Sequence, residues 1–190
     1  DRAAARSRRP QPPVSRPRPD ARLTVENLTF HFDNYRTGWN PYERTLTPGS
    51  LISGSFGLLA TLPVDGNVYA QPLTEANVKF SDGSKHNVLV IATEYNSVYG
   101  FDADTLQALW HVNFNNASAG IGPETSGAAS CTQIAPWIGI SSTPVIDSTS
   151  GRIYVVAKTM QGSGSSATFA NTLHAISIVT GADVVPPVVV

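Results

Sequence analysis

Two stretches of this chain repeat one local pattern, and that repetition constrains the fold more than any single residue does. The first reads Val88-Leu-Val-Ile-Ala-Thr-Glu, then Ser97-Val-Tyr-Gly-Phe-Asp-Ala-Asp-Thr105, and runs on to Trp110. The second reads Ile153-Tyr-Val-Val-Ala-Lys-Thr159 and resumes, after a Gly/Ser-rich insert, as Leu173-His-Ala-Ile-Ser-Ile-Val-Thr-Gly181. Each follows a short lead-in of proline and apolar residues, Ala70-Gln-Pro-Leu73 and Ser142-Thr-Pro-Val-Ile146. Pro72 and Pro144 are 72 positions apart, Ala92 and Ala157 65, Thr105 and Thr180 75. Short strands repeated at such spacing mark an all-β array in which each unit covers its neighbour's apolar face.

The strand from Val88 to Thr93 is apolar at consecutive positions, the pattern of a strand covered on both sides. In a β-propeller the inner strands of each four-stranded blade are enclosed in that way. The expected fold is therefore an all-β propeller of antiparallel blades, with about two blades in residues 56–190 and the remaining blades beyond this chain. A small β-sandwich is the alternative if the chain is whole.

Residues 1–22 hold seven Arg against two Asp, for +5, and the remainder carries −6. The Arg/Pro run cannot bury apolar surface, so a disordered tail is expected, with a grip on an acidic partner or membrane surface as the competing use. Residues 23–55 read as an approach segment. The mildly acidic remainder gives no reason to expect nucleic acid. No apolar run reaches the length of a membrane span. Cys131 is the single cysteine, so no disulfide framework or cysteine metal site can form within the chain. The sequons at Asn27 and Asn116 are possible N-glycosylation sites and suit an extracellular or periplasmic protein.

Further strands are expected at Phe56 to Leu62, Val68 to Leu73 and Gln107 to Phe114, with turns at Asp65-Gly66, Asp82-Gly83, Tyr95-Asn96 and residues 147 to 151. No segment reads as a firm helix. Residues 115 to 140 are Gly/Ala/Ser/Pro-rich and longer than an ordinary connection, which makes them the first place to look for a binding surface. Tyr35, Trp39 and Tyr42 form an aromatic loop, and together with Trp137 these rings are the possible ligand-facing residues. Rings exposed there favour ligand capture; buried rings would be packing.

The segment from Val88 to Trp110 resembles the blade motif of pyrroloquinoline-quinone (PQQ)-type propellers, on Ala92, Thr93, Tyr99, Phe101, Asp102, Thr105 and Trp110. The second copy keeps Tyr154, Ala157, Thr180 and Gly181, and Pro72 and Pro144 open the two units. Leu106 stands where that family usually has the turn glycine, and Gly100 where alanine is commoner. The resemblance implies a structural use for Asp102 and Thr105 at a strand corner and for Trp110 between blades. It also implies either a binding or scaffold module in an exported protein, or a PQQ- and calcium-dependent quinoprotein dehydrogenase acting on alcohols or sugars. A carbohydrate-binding propeller is a third reading, and the partner is then a protein or carbohydrate ligand. The family's adjacent cysteine pair is absent, and its calcium ligands have no match here.

Among residue types that carry chemistry, His31, His86, His111 and His174 match no zinc spacing. Neither Asp33-Asn34 nor Asp102-Ala-Asp104 has the spacing of a calcium loop. No phosphate loop or nucleophile elbow occurs. Asp65, Glu94 and Glu124 stand apart in sequence, so catalytic residues are not assigned.

Overall fold

The computed structural model describes residues 26–41, 43–52 and 56–190. The Arg/Pro tail and Tyr42 lie outside them. The chain is all-β. Its first sheet is a four-stranded antiparallel meander of β1 (Leu73–Lys79), β2 (Lys85–Ala92), β3 (Ser97–Asp102) and β4 (Ala108–Asn113). The second contains β5 (Ile121–Thr125), β6 (Trp137–Ile138), β7 (Val145–Asp147), β8 (Arg152–Gln161), β9 (Thr168–Ser177) and β10 (Val188–Val189). Its order is β10-β9-β8-β5-β6, and β7 pairs with the first half of β8. A five-residue helix, α1 (Pro48–Ile52), buries no residue.

Turn chemistry sets the meander. Ser84 closes the β1–β2 hairpin, accepting the Phe80 amide, while Gly83 takes the positive φ of 86°. Ser97 accepts the Thr93 amide across the β2–β3 turn, where Asn96 adopts a left-handed φ of 58°, a conformation Asn tolerates well. β1 carries a bulge between Glu75 and Val78.

The two sheets bury one face each against the other. Leu73, Val88, Val90, Ala92 and Val98 from the first meet Ile140, Ile146, Ile153, Val155, Ala157 and Ile176 from the second in a single core. Ala92 and Ala157, matched in the sequence repeat, thus lie in β2 and β8 and share one core.

This arrangement corrects the propeller expectation. The sheets are open and form no ring, and burial in β2 and β8 alternates with period two. Val88 and Val90 are dry, whereas Leu89 and Ile91 are half-buried. Alternation of that kind means one packed face, which removes the argument for enclosing blades. The PQQ-type kinship and the readings that hung on it lose their footing: the propeller-borne binding or scaffold module, the quinoprotein dehydrogenase and the carbohydrate-binding propeller. Two packed sheets are closer to the sandwich alternative.

Residues 56–62 are not a strand; Leu58 and Leu59 are exposed because no sheet edge meets them. Asp65-Gly66 is a bend with no hairpin, and Val68 to Leu73 gives way to β1 beginning at Leu73. The stretch from 115 to 140 holds two short strands where a long loop was expected. Among the described residues, no helix is long and apolar enough to cross a membrane.

Candidate functional site

A strap of residues 26–28 ties the sheets together. Asn27 exchanges both backbone hydrogen bonds with Thr74 at 3.0 Å, and the Leu28 carbonyl accepts the Ile146 amide at 2.8 Å. The chain then doubles back over residues 29–39 in a compact loop. The His31 carbonyl accepts from Asp33 (2.9 Å) and Gly38 (3.0 Å), and the Asp33 carbonyl accepts from Arg36 (3.0 Å). The Arg36 guanidinium turns inward onto Thr29 Oγ1 (2.5 Å) and the Phe30 carbonyl (2.8 Å). The Thr37 hydroxyl bonds Asp33 and, with backbone amides of the loop, holds that carboxylate below its ordinary range against the opposing effect of burial. Gln71 Oε1 accepts the His31 amide at 3.0 Å and anchors the loop beside β1.

The loop carries backbone strain. His31, Phe32 and Arg36 have φ of 54°, 75° and 59°, each costing on the order of 1 kcal/mol for a side-chain-bearing residue. What this geometry presents is aromatic: Tyr35 is 91% exposed and Trp39 67%. Phe30 stacks on His31 at 3.9 Å and 24°. Trp137 is placed otherwise, in β6, edge-on to Tyr95 at 5.8 Å.

The blade-motif residues take structural positions. Asp102 Oδ1 accepts the amides of Asp104 (3.0 Å) and Thr105 (2.6 Å) and closes the β3–β4 corner. Trp110 spans the two sheets. Tyr99 lies between Phe101 and His111, with ring centroids 5.8 and 4.2 Å away, and its hydroxyl accepts the Asp65 amide. Thr93 and Ser97 donate to the Asp65 carboxylate at 2.9 and 2.6 Å. Thr180 caps the turn that follows β9 by accepting from Ala182. Pro144 is buried and Tyr154 half-buried. Asn27 donates to the Pro72 carbonyl from within the strap, whereas Asn116 is exposed. Cys131 is half-buried beside Gln133.

Ser84, His86 and Asp102 form a chain that sequence reading did not connect. Ser84 Oγ lies 2.9 Å from His86 Nε2, and His86 Nδ1 2.6 Å from Asp102 Oδ2. The order matches a nucleophile relay, but Ser84 Oγ also lies 2.6 Å from Asp82 Oδ1, which competes for its one hydroxyl proton. The chain locks the β1–β2 hairpin to the β3–β4 corner. The cross-strand pairing of Val88 with Asp102 brings these groups into reach, and only register reveals it.

A second polar seam was hidden as two acids that stand apart in sequence, Glu94 and Glu124. Glu94 Oε2 accepts the Gly139 amide (2.7 Å) and the Ser141 hydroxyl (2.9 Å), and Asn96 donates to the Lys158 carbonyl (2.9 Å). Lys158 pairs with the buried Glu124. Acids set directly after or within apolar strands were the signal available. Among the described residues no three of His, Cys, Asp and Glu converge to hold a metal ion, so the donor set of a calcium-bound quinone is not assembled by them. Comparison with protein-family models, curated proteins and solved structures gives no match to this chain.

Proposed function

We propose that this chain is a protein-recognition domain whose partner seats on the loop of residues 29–39. The observation that carries this reading is the exposure of Tyr35 and Trp39 on a backbone fixed by its own hydrogen bonds and strained at Phe32. Tyr and Trp are the residues that dominate interface energetics, and rigid rings lose little entropy on docking. Strain held at a surface loop is a mark of function when the surroundings enforce it. Asp33, Arg36 and Thr37 direct their polar groups into the loop itself. The surface thus offers ring faces, and it suits a partner with an apolar or carbonyl-lined patch better than a hydroxyl-rich ligand that needs outward donors.

A photo-crosslinking side chain at the exposed position 34, next to Tyr35 and carried by both chains compared, should trap a protein partner from an extract of the source cells. The Tyr35→Ala/Trp39→Ala chain, with an unchanged circular dichroism spectrum, should capture that partner at least ten-fold less well. Equal capture by both chains overturns the reading.

A further inference from the structure

Three carboxylates flank the points where the strap staples the sheets, each one residue from a stapling group. Glu26 precedes Asn27, Glu75 follows Thr74, and Asp147 follows Ile146. Glu75 is the buried member, 7% exposed, and its Oε2 has no hydrogen-bond partner. Among the described residues, the groups around it offer no matching cation. Across the β1–β2 pairing it faces apolar Val88, with Asp102 next in the same row on β3. His86, further along β2, is engaged by Asp102. Arg152 of β8 acts on Asp147, which also accepts from Thr149 and Ser150. Lys79 lies beyond the bulge at the far end of β1.

We propose that the strap is a pH-gated staple, closed while Glu75 keeps its proton and released as Glu75 ionises. With the proton in place, burial costs one neutral carboxyl group. Without it, a dry carboxylate confronts Glu26 and Asp147 beside the three backbone contacts that join the sheets. Burial first, then Glu26 and Asp147, pushes the Glu75 carboxyl up to about 7, so the gate works near neutrality. The staple stands independently of the partner reading. Its consequence for partner binding, through the loop that continues the strap, rests on that reading.

The test is amide hydrogen exchange on the full chain, with intrinsic rates divided out, between pH 5.5 and 8.5. Protection at Asn27, Thr74 and Ile146 should fall at least ten-fold as pH rises, while the β3 amides hold. The Glu75→Gln chain should show no such fall. If that variant does not fold, Glu26→Gln should move the release midpoint to lower pH. Constant protection in the wild type, an equal fall in Glu75→Gln, or an unmoved midpoint in Glu26→Gln each overturns the staple. Because no partner is present, failure here leaves the crosslinking result standing, and the reverse also holds.

Discussion

The indole nitrogen of Trp110 donates to the carbonyl of Ile178 at 2.8 Å, from the last strand of the first sheet to the turn after β9 in the second. The ring has room there because two glycines flank it. A Cβ at Gly100 would stand 2.3 Å from Trp110 Cε2, and one at Gly181 2.6 Å from Cε3. Gly181 also needs its φ of 72°. Trp110→Ala should therefore cost about 3 kcal/mol through lost burial, and Trp110→Phe about 1–2 kcal/mol through the orphaned carbonyl. Gly181→Ala should cost at least about 2 kcal/mol, from crowding and backbone strain together. Urea unfolding midpoints check all three; a neutral Gly181→Ala would contradict the slot.

Leu106 adopts a φ of 62° in the β3–β4 corner, where its amide bonds the Asp102 carbonyl at 2.7 Å. A leucine pays steric strain there that glycine does not. Leu106→Gly should raise stability by roughly 0.5–1 kcal/mol, less the greater entropy of an unfolded glycine. A fall in thermal midpoint for this variant would show that the half-buried leucine side chain packs for more than its backbone costs.

Gly139 threads the polar seam. A methyl there would sit 2.4 Å from the Glu94 carbonyl oxygen and 2.6 Å from Asn96 Oδ1. Backbone cannot yield as a flexible side chain does. Gly139→Ala should cost about 1–3 kcal/mol and loosen the turn of residues 93–96, visible as amide shifts at Glu94 and Asn96 in a heteronuclear spectrum. Shifts confined to residue 139 and its chain neighbours would argue against the seam.

Stability should depend on pH through two carboxyl groups of opposite sign. Glu75 titrates near 7 in the fold against 4.5 for the free side chain. Between those values the native state binds the extra proton, so stability falls as pH rises, by up to about 3 kcal/mol. Burial works to raise Asp102, but hydrogen bonds from His86, Thr105 and Asp104 outweigh it and hold the group below 3.8. Its contribution is complete above 3.8 and lost as pH falls through the lower native value. Thermal midpoints should peak near pH 4–5 and decline toward 7, and Glu75→Gln should abolish the decline. A flat wild-type profile over that range would refute the assignment.

Local sequence pattern is a good guide where contacts are local. β3 was readable as Ser97 to Asp102 because polar turns bracket it, and Asp102 with Thr105 marked its corner. β1 was missed because Leu73-Thr-Glu-Ala-Asn-Val-Lys79 is polar and bulged, and its strand character comes from pairing with β2. The reverse error befell Phe56 to Leu62, which alternates well but meets no edge. The unbroken apolar run at Val88 to Ala92 suggested two dry faces, when Leu89 and Ile91 are half-open and only their neighbours are sealed. Exposure of Tyr35 and Trp39, and the meeting of Glu75 with Glu26 and Asp147, depend on how distant segments cross, which spacing along the chain does not encode.

Val188, Val189 and Val190 line the rim of the second sheet, 58%, 68% and 67% open to water. Among the described residues β10 has a neighbour on one side only, and residues 184–190 bring no charged side chain to fend off a like strand. As concentration rises, that rim is where one molecule first extends the hydrogen-bond ladder of another. An exposed valine rim of this kind favours edge-to-edge self-association.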